Sequence, residues 1–150
     1  MTSLTSESLH FKIELAGTYW KKKPVYSILV NEKLIETNQV STPSGEPFYV
    51  EFDTDLEEGA NKLHIRLDNK DWSDTVQSID KTEILKDMLL NIKSVEIDTI
   101  NIGDIVFTHS LFTGDDPDRP VLDKCVDLGW NGTWTLPFEI PFYIWLLETL

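Results

Sequence analysis

Leu9, Phe11, Ile13 and Leu15 alternate with His10, Lys12 and Glu14. Apolar residues at every second position turn one face of an extended strand to a core and the other to solvent. The rhythm returns at Phe48, Val50 and Phe52, and again at Leu63, Ile65 and Leu67, with His64 and Arg66 facing away. Val25 to Val30 reads as a strand that turns at Asn31-Glu32-Lys33 toward Leu34 and Ile35. Leu90, Ile92, Val95, Ile97, Ile100 and Ile102 resume the pattern, and the step of three from Ile92 to Val95 predicts a β-bulge or a strand end there. No segment carries three turns of helical periodicity; residues 82–89 are the best local helix. A chain patterned this way is all-β, with its strands in antiparallel sheets.

At 150 residues the chain makes about one domain and buries enough surface to fold without a metal or a disulfide. Its formal charge is −13, from 26 acidic and 13 basic residues. Such a field repels nucleic-acid phosphates and anionic membrane surfaces. The apolar run from Phe142 to Leu147 is too short to span a bilayer, so no membrane insertion is expected. The start of the chain lacks an apolar stretch before Glu7, which predicts no secretory leader. A lone cysteine, Cys125, sits in the stretch Val121 to Leu128, read as one more strand that buries an inert thiol. The three histidines have no metal-ligand spacing, and there is no phosphate loop, nucleophile elbow or metalloprotease motif. The chain is therefore not expected to be an enzyme.

Two segments break the strand pattern. The first, residues 68–87, is polar and carries five aspartates, and long loops of this kind in compact domains tend to be functional. Calcium takes six to eight oxygen ligands from carboxylates, carbonyls and water. Asp71, Asp74 and Asp87 are the loop's candidate cation ligands, and Trp72 stands among them. A second acidic group (Asp115, Asp116, Asp118, Asp123 and Asp127) lacks the glycine and terminal glutamate of an EF-hand loop and reads as solvated charge. Asn131-Gly132-Thr133 has the form of a glycosylation acceptor and is taken as a chance match. The second break is the ending. Trp130, Trp134, Phe138, Phe142, Tyr143 and Trp145 crowd the last residues, where Pro137 and Pro141 forbid one long helix. This arm either folds back over a sheet face or docks on a partner, and its six aromatics are the candidate docking residues.

The text Leu67-Asp68-Asn69-Lys70-Asp71, followed by Asp87 and then Leu90, Ile92, Val95 and Ile97 at spacings of two, three and two, resembles the calcium-dependent xylan-binding modules. Gly17, Pro24-Val25, Val30-Asn31 and Gly59 before Leu63 extend the similarity over roughly residues 9–102. The resemblance implies a jelly-roll-like antiparallel β-sandwich with Asp87 at a calcium-binding position, Asp71 and Asp74 beside it as calcium ligands, and Trp72 stacking on a sugar ring held at that open calcium. Met88 and Leu89 stand where that family has Arg and Asn, and Lys70 is an extra residue between Asn69 and Asp71. More loosely, residues 87–104 and 130–150 look like small virion structural proteins of tailed marine bacteriophages of the cyanophage myovirus type. Together these imply a sandwich over residues 1–104 and, over 105–150, an acidic loop, an extra strand and an aromatic C-terminal extension. The implied role is a non-enzymatic capsid-decoration or tail accessory subunit in the virion, with calcium as cofactor. Its partners would be other virion proteins or sister subunits, and cell-surface glycans. The alternative is a free-standing calcium-dependent glycan-binding module.

Overall fold

The computed structural model describes residues 6–150; residues 1–5, where a leader would begin, lie outside the described residues. In chain order the elements are β1 (Ser6–Thr18), β2 (Val25–Val30), β3 (Lys33–Gln39), β4 (Phe48–Glu57), β5 (Gly59–Leu67), β6 (Val76–Gln77), β7 (Ile84–Lys86), β8 (Leu89–Ile97), β9 (Ile100–Asn101), α1 (Ile105–Thr108), β10 (Leu111–Gly114), β11 (Leu122–Asp123), β12 (Asp127–Leu128), β13 (Gly132–Ile140) and α2 (Phe142–Thr149). One sheet runs β12-β8-β1-β4, with β9 paired to β8, and the other runs β11-β10-β13-β5-β2-β3. Every pairing is antiparallel, and the molecule is an all-β sandwich.

The alternating residues do what their period demands. Leu9, Phe11, Ile13 and Leu15 are buried in β1, and Leu63, Ile65 and Leu67 are buried in β5. Phe11 stacks on Phe52 across the β1–β4 pair, with centroids 5.0 Å apart, and meets the edge of Phe138 from the opposite sheet at 6.0 Å. The bulge falls where the spacing placed it: Glu14 pairs with Ser94 and Leu15 with Ile92, leaving Lys93 as the extra residue. That extra residue keeps Leu90, Ile92, Val95 and Ile97 all on the buried face.

Three expectations change. Residues 82–89 form no helix; they hold β7, which pairs with β6 as a small hairpin outside the two sheets. Val121 to Leu128 is not one strand, because β11 joins one sheet and β12 the other, so this stretch carries the chain between layers. Cys125 consequently lies between strands and is half-buried, its thiol pushed up by that burial. Of the two expectations for the ending, folding back or docking on a partner, residues 105–150 follow the first and supply β10 to β13 and α2. β13 pairs along its whole length with β5 and, over Gly132 to Thr135, with β10. Trp134, Leu136, Phe138 and Ile140 are buried along it. Pro137 is tolerated because β10 ends before it, so the side of β13 that would need its missing N–H has no neighbour there. α2 then folds back, with Phe142, Trp145 and Leu146 on the core.

Candidate functional site

β5 ends at Leu67, and the chain enters residues 68–87 held from both sides. The Asn69 side chain accepts from the Val25 N–H at 2.8 Å and donates to the Lys23 carbonyl at 3.0 Å. Asn131 does the same for Lys70, accepting from its N–H at 2.8 Å and donating to its carbonyl at 2.9 Å. Both amides thus replace backbone partners that a loop leaving a sheet would otherwise lack. The Asn131 amide is committed to this clamp.

Asp71 then caps a single 3-10 turn, Trp72–Asp74. Its carboxylate accepts from the Ser73 N–H, and Asp74 returns the favour by accepting from the Asp71 N–H at 2.8 Å. Asp74 is fully buried. Lys22 lies 2.9 Å from both Asp71 and Asp74 Oδ2, and Lys21 lies 3.5 Å from Asp74 Oδ1, which accepts no hydrogen bond. Trp20 donates its indole N–H to the Asp74 carbonyl at 2.8 Å, and Lys86 of β7 lies over the Trp20 ring at 4.8 Å. The Ser73 hydroxyl, the Lys22 ammonium and the Ser73 N–H hold Asp71 well below the usual carboxylate range. Burial pushes Asp74 up, but the Asp71 N–H and Lys22 more than offset it. Lys22 is raised in turn by its bonds to Asp71 and Asp74.

Asp87 closes the loop elsewhere. Its Oδ1 accepts from Lys70 at 2.7 Å, from the Thr75 hydroxyl at 2.7 Å and from the Met88 N–H at 2.8 Å. Lys70 Nζ also donates to the Gly129 carbonyl at 2.6 Å, and its side chain is only 9% exposed. Burial raises Asp87, and these bonds, with Lys70 first, bring it below its ordinary value.

Beside this loop opens a cleft of about 700 Å³. One wall is Lys70, Asp71, Trp72, Thr75 and Gln77; the other is Asp115, Asp116, Arg119, Gly129, Trp130 and Asn131. Trp72 stands on its rim 89% exposed. Trp130 is half-buried, with the Arg119 guanidinium 4.3 Å from its ring centroid and Phe112 behind it. Its indole lies so close to Gly114 that a Cβ there would meet Nε1 at 2.4 Å, so glycine is required. Asp115 is fixed by Arg66 at 2.8 Å.

The sequence-derived residues are thus redistributed. Trp72 lies on the rim of the cleft. Asp71 and Asp74 share one ammonium cluster and Asp87 belongs to another, and among the described residues no group of three or more His, Cys, Asp or Glu is arranged to hold a metal ion. The donor set does not fit calcium. Three lysines already balance three aspartates, so a divalent ion would have to displace these ammonium groups, the nearly buried Lys70 among them, from their carboxylates. Of the six aromatics expected to dock a partner, Trp134, Phe138, Phe142 and Trp145 are spent in the chain's own core, Trp130 forms the cleft wall, and Tyr143 alone is exposed. Lys21, Lys22, Lys70, Arg119 and Asn131 were not read as site residues; the run Lys21-Lys22-Lys23 in so acidic a chain, and the inserted Lys70, were the available signals.

No family model matches the chain, and no curated protein matches it. Among solved structures it is similar to a carbohydrate-binding module, vCBM60, in complex with galactobiose: TM-score 0.52 and 11% identity, covering 85% of this chain and 96% of that one. It is also similar to the selenomethionine form of vCBM60, described as part of a link by circular permutation between two families of calcium-dependent carbohydrate binding modules. There the TM-score is 0.54 and the identity 10%, over 85% of this chain and 89% of that one. The likeness establishes a fold of the carbohydrate-binding-module type.

Proposed function

We propose that the protein is a non-catalytic glycan-binding module that takes a sugar chain into the cleft between Trp72 and Trp130. The observation that carries this reading is Trp72, a large ring 89% exposed on the rim of a cleft whose other wall carries Trp130. An indole face held out in water suits the C–H face of a pyranose, and Gln77, Asp116 and Arg119 supply donors and acceptors for hydroxyls. The likeness to vCBM60, a carbohydrate-binding module caught with galactobiose, supports it. The virion-subunit expectation drew on the aromatic arm as a docking element, and most of that arm is internal.

Affinity electrophoresis against soluble galactan and xylan, with galactobiose as competitor, tests the proposal. Retardation of the full chain, weakened about tenfold or more in Trp72→Ala with an unchanged melting temperature, is the expected result. Equal mobility of both proteins in every polysaccharide would overturn it.

A further inference from the structure

Lys70, the residue that interrupts Asn69 and Asp71, sends its ammonium onto Asp87 at 2.7 Å and onto the Gly129 carbonyl at 2.6 Å. A nearly buried positive centre between a carboxylate and a backbone carbonyl occupies the environment in which a cation would be held. Lys22 repeats the arrangement between Asp71 and Asp74, at 2.9 Å from each. The backbone places these ammonium groups deliberately: Lys70 is pinned at both its N–H and its carbonyl by Asn131, and residues 20–22 are tied down by the bond from Trp20 to the Asp74 carbonyl.

We infer that Lys70 and Lys22 do with covalently attached ammonium groups what a bound cation would do for residues 68–87, so that the loop and its cleft wall are ordered without divalent metal. This inference stands apart from the glycan reading, because it concerns the loop alone. It also accounts for the inserted Lys70 and for the lysine run of the β1–β2 loop as one device. Two point charges, held in place by the chain itself, are built in, where a free ion would have to be captured from solution.

Hydrogen exchange on the full-length chain, in chelator and in millimolar calcium, tests it without any sugar. Protection of residues 68–87 should be the same in both. A saturable, calcium-dependent rise in that protection would overturn the inference. In Lys70→Met, exchange in the loop should accelerate roughly tenfold or more while β1 and β13 keep their protection. Unchanged loop protection in that variant would also overturn it. If Lys70→Met does not fold, Lys22→Met makes the same comparison at the second ammonium, and the wild-type measurement stands without either variant. A loop indifferent to calcium in a protein that fails to bind polysaccharide would sink the glycan reading and leave this one intact.

Discussion

The sandwich and the loop beside it are held by different forces. Between the sheets, Phe11, Phe138, Trp134 and their neighbours exclude water, and little in that interior titrates or depends on salt. In residues 68–87 few large apolar side chains are buried; order comes from ammonium groups on carboxylates and from two asparagine amides. The loop projects its apolar residues instead, with Trp72, Ile79, Ile84 and Leu85 all exposed. A region that must present a ring to solvent cannot also bury it, so its rigidity has to come from polar bonds. Those bonds are directional and fix one geometry, which suits a binding wall, whereas the core needs only to be full.

The sharpest way to break the contrast is at Phe138, where the sheets meet. Phe138→Ala should cost about 4 kcal/mol and lower the melting temperature by about 12 °C, with loop and sheets lost together in a single calorimetric transition. Asp74→Asn should cost less, about 2 kcal/mol, and act locally: exchange in residues 71–87 accelerates while β1 and β13 stay protected. If it melted the sheets equally, the two regions would not be separable. Acid should discriminate further. Asp74 and Asp87 lie below their ordinary values, so their contribution is present above the unfolded carboxyl pKa, about 4, and is lost as pH falls through the lower folded values. Loop protection should therefore hold from neutrality to about pH 5 and decline below about pH 4, ahead of global acid unfolding. The smallest effect belongs to Lys12 and Glu51, paired at 4.0 Å on the solvent side of β1 and β4. Glu51→Gln should change stability by less than about 0.5 kcal/mol in a denaturant titration.

The same contrast explains what could be read in the sequence. β1, β4, β5 and β8 were visible because burial on one face imprints a period of two, and the Ile92-to-Val95 step even located the bulge. β13 carries the same alternation at Trp134, Leu136, Phe138 and Ile140, yet Pro137 and the density of aromatics masked it. What makes it a strand is a partner, β5, that lies far away in the chain. The site was legible as residue types only. Asp71, Asp74, Asp87 and Trp72 stand out, but whether an aspartate faces a metal or a lysine depends on who meets it in space. Lys22 is 49 residues from Asp71, and Asn131 is 61 from Lys70. No local pattern encodes such pairs.

The placement of β13 also has a consequence for the chain as it is made. β5 pairs with β13 from Leu67↔Gly132 to Gly59↔Ile140, so one long edge of β5 stays open while roughly 65 more residues are translated, about 3–13 s at ordinary ribosomal speeds. During that interval Leu63, Ile65 and Leu67 are paired on one side only, with β2, and the nascent polypeptide presents their other edge to any strand that meets it. The β1–β4 pair and the β5-β2-β3 half of the second sheet can form early, but the second sheet closes only when its late-arriving strand slots between β10 and β5. Truncation before that point would leave an aggregation-prone half-sandwich rather than a smaller domain.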